Sequence, residues 1–422
     1  MNDVSSKIKI ELTTLTYGGE CIGYLPDGRA VFVPGVLPGE EAEVELAEEK
    51  NSYVRARLLR VLRSSPKRIT PRCGHFGECG GCHYQHMSYA DQLLTKQTVV
   101  RDQLHRITGI PDPVVEAVVP AQQIWQYRNT MQFHVKTEGR LGFRKHYSSQ
   151  VVAIHECHLP LSPIREFWPR LDFKPSKPER RIEVRCGSNG ELLIVMEGNN
   201  LLSHGFNPDI SPSIVRMGSK SNHVLAGKES LMMDVLGLSF KVSAGSFFQV
   251  NTPVAEAMIR HLQNHLPLTK KTVLLDLYSG AGLFSRFFAG QVSRTIAIEL
   301  SSSACSDYAV NLAEFDNVEL YMGAVEQVLP YLHVQSGVMI VDPPRAGLKR
   351  QVLDALISMA PELIAYISCD PSTLARDLRY LLAAGYRLEQ VTPFDMFPQT
   401  YHVETVVLMS RGEWQRSWEG LI

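Results

Sequence analysis

The chain has 422 residues, 44% apolar and 21% charged, with a formal net charge of −1. At ~150 residues per domain this length predicts two or three domains with substantial cores, and the composition excludes a disordered or fibrous chain. No apolar run approaches the ~20 residues that a spanning helix needs, and "MNDVSSKIKIELTTL" lacks a basic region followed by an apolar stretch, so a cytoplasmic protein without a membrane partner is expected.

Residues 1–64 read as five short strands, with apolar and polar positions alternating around turn signals at Gly18-Gly19, Asp27-Gly28 and Pro38-Gly39. So many strands in so short a span must hide their edges, which predicts a small OB-like barrel. Charge is segregated here. Glu40 to Glu49 is acidic, whereas Tyr53 to Arg72 carries Arg55, Arg57, Arg60, Arg63, Lys67, Arg68 and Arg72 and no acid. That basic stretch either meets RNA phosphates or forms a solvated strand face.

Residues 65–245 mix patterns. A cysteine cluster is followed by a helical run across 88–110, a candidate to pack on the C-terminal domain. Strand-like segments such as "MQFHV", "RIEVRC" and "ELLIVME" then predict an α+β domain of antiparallel character. Of the eight cysteines, Cys73, Cys79 and Cys82 fall close together. A disulfide framework fits poorly with a long chain lacking a signal peptide, so metal binding or catalysis is the expected use.

From residue 246 to 422, buried strands alternate with helical stretches, the pattern of βα units and a mostly parallel sheet. Ligands of such sheets bind beyond the carboxyl ends of the strands. "LLDLYSGAGLFS" places Gly280 and Gly282 in the turn after a strand, but Ser285 stands where a dinucleotide fingerprint needs its third glycine. Glu299 closes the next strand, where a carboxylate can accept ribose hydroxyls. A glycine turn and an acid without a phosphate motif suit S-adenosylmethionine. "VDPPR" ends a later strand, with Asp342 directed at the cleft and two prolines stiffening the loop before Arg345.

"YISCDPSTLARDL" sets Cys369 between a strand and a helix start, whose free N–H groups can lower a thiol pKa, while Asp370 opposes this. "QTYHVETVVLM" opens a strand with Glu404. On pattern alone a cysteine at a strand end is more often a small buried hydrophobe, and such a glutamate a solvated carboxylate. Methylation of carbon 5 of uracil would employ both: a thiolate adds to carbon 6, the resulting enolate takes up the methyl group, and a base removes the carbon-5 proton.

With "SFFQVN", "LDLYSGAGLFS", "AIEL", "VDPPRAGL", "YISCDPSTLARDL" and "DMFPQTYHVETVVLM" in order, the chain resembles the SAM-dependent RNA (uracil-5-)-methyltransferases. The resemblance implies a class I, Rossmann-like α/β methyltransferase domain, preceded by an OB-like TRAM barrel over residues 7–63. It assigns the nucleophile to Cys369, the base to Glu404, and cofactor contacts to Gln249, Tyr278, Gly280, Gly282, Glu299 and Asp342. Ser279, Leu283 and Ala324 depart from residues frequent in the family. RNA contacts fall on Arg128 and Asn129 of "WQYRNTMQF" and on Arg345. Cys73, Cys79, Cys82 and the distant Cys157 can hold zinc or a 4Fe-4S cluster, with His75, His83 and His86 keeping zinc open; resemblance to the iron-sulfur branch of the family favours the cluster. That branch leans towards a 23S rRNA substrate, with tRNA as the alternative; reaching the ring edge of uracil requires an extruded or single-stranded base, and a monomeric enzyme is expected. The rival outside the enzyme class is a noncatalytic RNA-binding protein with a methyltransferase-like domain.

Overall fold

The computed structural model describes residues 7–136, 138–171, 181–197, 211–218 and 222–412. Residues 1–6, read above for a targeting signal, lie outside the described residues. Among the described residues no helix is long and apolar enough to cross a membrane.

The N-terminal strands form a sheet whose two edges belong to one bent strand. Lys7–Glu11 pairs with Glu41–Glu49, and its continuation Thr14–Leu15 pairs with Glu20–Tyr24, so the first strand closes the sheet on itself. Gly23 permits the crossing, because a Cβ there would lie 2.6 Å from the Glu11 carbonyl oxygen. Ile10, Cys21, Val31, Val33, Val44 and Val54 fill the interior.

The segregated charge is cancelled in the fold. Glu41–Glu49 runs antiparallel to Tyr53–Arg63. Arg57 meets Glu45, Arg60 meets Glu43 at 2.9 Å, Arg63 meets Glu11 at 3.2 Å and Arg68 meets Glu40 at 2.6 Å. Of the two readings of this stretch, the pairing fits the strand face, with Arg57 and Arg60 meeting acids directly across the ladder.

The central domain carries a seven-stranded sheet built around Thr130–Val135, Arg181–Cys186 and Leu192–Glu197. Its pairings are antiparallel except between Leu192–Glu197 and Ser213–Met217. Phe133, Ile164, Trp168, Ile182 and Val184 pack one face of it.

Helix Tyr89–Thr108 starts at Ser88, whose hydroxyl accepts from the Asp91 N–H, and stops at Gly109 in the left-handed conformation. It packs on helix Pro371–Ala383, and its Val100 and Leu104 enter the C-terminal core. Its Lys96 is fully buried, paired with Asp395 and donating to the Phe397 carbonyl at 3.0 Å.

The C-terminal sheet runs in the order Val318–Met322, Arg294–Glu299, Val273–Leu277, Val338–Val341, Leu363–Ser368, Glu404–Ser410, Arg387–Phe394. All neighbours are parallel except at Glu404–Ser410, which is antiparallel to both strands beside it. The strand order reverses between Val273–Leu277 and Val338–Val341, which opens a crevice beyond their carboxyl ends. The hairpin Ser230–Val235 and Leu238–Ser243 supplies Met233, Val235, Phe240 and Val242 to the same core as Ile340 and Ile367, so this core extends to the N-terminal side of residue 246.

Candidate active site

Two turns form the floor of the crevice. After Val273–Leu277 the backbone enters the left-handed region at Tyr278, Gly280 and Gly282, with φ of 62°, 55° and 88°. Glycine is required at 282 on two counts, since a Cβ would also lie 2.4 Å from Leu312. The turn is fastened to the next strand end: the Gly280 N–H donates to Glu299 Oε2 at 2.9 Å, and the Ser301 N–H donates to Oε1 at 2.7 Å. Glu299 is thereby fixed with lone pairs still free to face the crevice. Ser285, the residue that breaks the dinucleotide fingerprint, donates through N–H and hydroxyl to Asp276 Oδ2 at 3.1 and 2.6 Å.

Beyond Val338–Val341 the "DPPR" loop brings Asp342 and Arg345 to the same space. Tyr278, Gly280, Glu299, Gln249, Asp342, Arg345, Cys369 and Glu404 all line one cavity of about 1100 Å³. Gly282, also expected to contact the cofactor, does not line this cavity; its N–H donates to the Ser279 carbonyl at 2.9 Å within the turn. His402 and Phe397, for which no role was expected, also line this cavity, on the loop before Glu404–Ser410.

Glu404 is 4% exposed, and burial together with the nearby Asp342 carboxyl holds its pKa well above the ordinary range, with Arg345 opposing. Burial, then the Asp276 carboxyl, pushes Asp342 up to about 7. The Cys369 thiol is pushed up to about 12, first by burial and then by Glu404; Asp342 and Asp370 add to this, and Arg345 alone pulls it down. The expected help from the helix N-terminus does not reach the thiol. Asp370 caps helix Pro371–Ala383 itself, its Oδ1 accepting the Ser372 and Thr373 N–H groups at 2.9 and 3.0 Å. Burial and its acidic neighbours thus favour the protonated thiol, and among the described residues Arg345 is the cation that opposes them.

The four cysteines of the central domain face a common space, although among the described residues no three His, Cys, Asp or Glu side chains group as they would around a metal ion. Cys73, Cys79, Cys82 and Cys157 line a second cavity of about 420 Å³. All four are free thiols and largely buried, and burial raises the pKa of each, that of Cys157 to about 12. Phe247, Arg345 and Phe397 belong to both cavities, so the cysteine site abuts the crevice. Arg128 lines the cysteine cavity, with its guanidinium 5.9 Å from the Phe397 ring centroid. Asn129 departs from the expected RNA contact. It is 3% exposed, and its Nδ2 donates to the Gln249 carbonyl at 2.9 Å, so it ties the central sheet to the segment that carries Gln249.

A family model described as tRNA (uracil-5-)-methyltransferase matches residues 221–412, and a TRAM-domain model matches residues 4–59. An uncharacterized RNA methyltransferase of Halalkalibacterium halodurans is 32% identical over 97% of this chain and 97% of its own. The chain belongs to the RNA (uracil-5-)-methyltransferase family. A second such methyltransferase, from Caldanaerobacter subterraneus subsp. tengcongensis, is 34% identical over 97% of this chain and 99% of its own. The crystal structure of Pyrococcus abyssi tRNA (uracil-54, C5)-methyltransferase in complex with S-adenosyl-L-homocysteine superposes with a TM-score of 0.72 at 27% identity, covering 95% of this chain and all of that one. This methyltransferase therefore shares its whole architecture, TRAM barrel included, with an enzyme of the family.

Proposed function

We propose that this methyltransferase modifies carbon 5 of a uridine in RNA through a covalent adduct on Cys369, using S-adenosylmethionine. The observation that carries the reading is one cavity lined by Cys369, Glu404 and Arg345 on one side and by Glu299 and the glycine turn on the other. Glu299 would hold the ribose hydroxyls, and Tyr278, Gly280, Gln249 and Asp342 the rest of the cofactor. Its contribution when bound is a methyl group on a positively charged sulfur.

The chain's own groups account for the remaining steps. Cys369 passes its proton to solvent as the uracil enters, with Arg345 offsetting the thiolate charge, and its sulfur bonds to carbon 6 while the pair of the carbon 5–carbon 6 double bond moves to the O4 enolate. Carbon 5 then takes the methyl group. The Glu404 carboxylate removes the carbon-5 proton, the carbon–sulfur bond breaks, and the thiolate leaves with its electron pair. The raised proton affinity of Glu404 suits a base that must take a proton from carbon.

For Cys73, Cys79, Cys82 and Cys157 the reading is a 4Fe-4S cluster. Four thiols that burial keeps from ionising alone are a donor set that a cationic centre would stabilise. Among the described residues no three His, Cys, Asp or Glu side chains group as they would around a single ion. The preference for a cluster over zinc rests on the resemblance to the iron-sulfur branch of the family. It would stiffen the cavity wall next to Arg128 and Arg345, and no step of the reaction runs through it.

The substrate we favour is 23S rRNA, on the resemblance of the cysteine site to the rRNA-directed branch, and the site of action is the cytoplasm. tRNA is the second reading, favoured by the named activity of the Pyrococcus abyssi neighbour. Mapping 5-methyluridine in total RNA with and without the enzyme separates the two. With Cys369→Ala the modification should vanish from whichever RNA carries it, and undiminished methylation by that variant would overturn the mechanism.

A further inference from the structure

The turn at the tip of the TRAM barrel reaches the edge of the crevice. Tyr17 stands before Gly18 and Gly19, whose φ values of 114° and 82° fold the turn back between Thr14–Leu15 and Glu20–Tyr24. Its hydroxyl donates to Asp370 Oδ2 at 2.8 Å, and its ring meets Tyr401 edge-on at 5.5 Å. Asp370 follows Cys369 directly. Its Oδ1 is occupied by the Ser372 and Thr373 N–H groups, so with Tyr17 on Oδ2 both oxygens are engaged.

We propose that Tyr17 is a positioning residue for the nucleophile, holding the Asp370 carboxylate in its capping orientation so that its negative charge is directed away from the Cys369 thiol. The inference rests on the reading of Cys369 as the nucleophile. The physical argument is that a carboxylate on the residue after a thiol opposes thiolate formation in proportion to how near and how unsatisfied its charge is. Three donors on Asp370 disperse that charge, and one of them comes from a different domain. The other charged groups facing the thiol are Glu404, Asp342 and Arg345. None of these three has a described contact with Tyr17, but Tyr17 also lies near enough to Cys369 to feel its charge, so the Asp370→Asn background separates a direct effect on the thiol from one that acts through Asp370. The barrel's docking is thereby part of the active site, in addition to any RNA it holds.

The test follows alkylation of Cys369 by iodoacetamide, read by peptide mass spectrometry from about pH 7 to about pH 10, where thiolate fraction sets the rate. Tyr17→Phe keeps the ring contact and removes only the donor. It should slow alkylation of Cys369 roughly three- to tenfold at fixed pH, equal to an upward shift of about half a unit to one unit. Asp370→Asn retains a capping side chain and removes the charge, so it should accelerate alkylation. Adding Tyr17→Phe to Asp370→Asn should then change nothing, because no charge remains to be directed. Equal slowing in both backgrounds would mean that Tyr17 serves only to dock the barrel, and an unchanged rate in Tyr17→Phe would also overturn the proposal. Buried Cys21 in the same digest reports on barrel integrity. Alkylation does not depend on methyl transfer, so failure of Cys369 as the nucleophile would be seen separately, as methylation by Cys369→Ala.

Discussion

Cys369 and Glu404 flank a register pair: Ser368 lies opposite Thr405 in the antiparallel ladder, Cys369 leaves one strand, and Glu404 begins the other. The single antiparallel strand of the sheet thus delivers its first residue to the same crevice mouth that the parallel strands reach with their last. A nucleophile and a base come from segments far apart in the chain without a long loop to either.

The pH dependence of single-turnover methylation follows from the charges around this pair. Cys369 is protonated throughout the neutral range, with its pKa pushed up to about 12 by burial and Glu404. Asp342 is pushed to about 7 and Glu404 is raised by burial and Asp342, so each group gains its reactive, ionised form as pH rises. The rate should therefore climb from about pH 6 to about pH 9, approaching tenfold per unit at the alkaline end. Rates measured at saturating RNA and cofactor that fall over this range would contradict the assignment.

Lys96 and Asp395 form an ion pair with no exposed side-chain surface, and Lys96 also holds the Phe397 carbonyl. Lys96→Met would leave the Asp395 carboxylate buried without its cation. The expected loss is about 3–5 kcal/mol in denaturant unfolding, where the transition can be treated as two-state. Since Phe397 lines both cavities, methylation should fall as well.

The cysteine site makes a prediction about colour and iron. Anaerobically purified protein should be brown and contain iron with acid-labile sulfide, and Cys79→Ser should lose most of both. Stoichiometric zinc in a colourless protein would replace the cluster reading with the zinc one.

Much of the crevice was legible because a parallel sheet gives every strand end the same destination. Once "LLDLYSGAGLFS", "AIEL", "VDPPR" and "YISC" read as strand ends, Gly280, Glu299, Asp342 and Cys369 had to converge. What stayed hidden depended on partners distant in sequence. Arg57 and Arg60 read as a basic strip because the glutamates that neutralise them stand across a hairpin. Asn129 stands just before the strand Thr130–Val135, where nothing local reveals that the Gln249 segment will cover it. Asp370 could be read as opposing the thiol but not as the cap that uses up the helix N–H groups. Tyr17 carried no local signal, since its role arises only when the barrel docks against the catalytic domain.

The most direct test of the central claim is mass spectrometry of Glu404→Gln incubated with unmodified RNA and S-adenosylmethionine. With addition and methyl transfer intact and proton removal blocked, the variant should accumulate a covalent complex in which Cys369 is joined to carbon 6 of a uridine already methylated at carbon 5. Normal release of 5-methyluridine by this variant, or an adduct at another residue, would contradict the account.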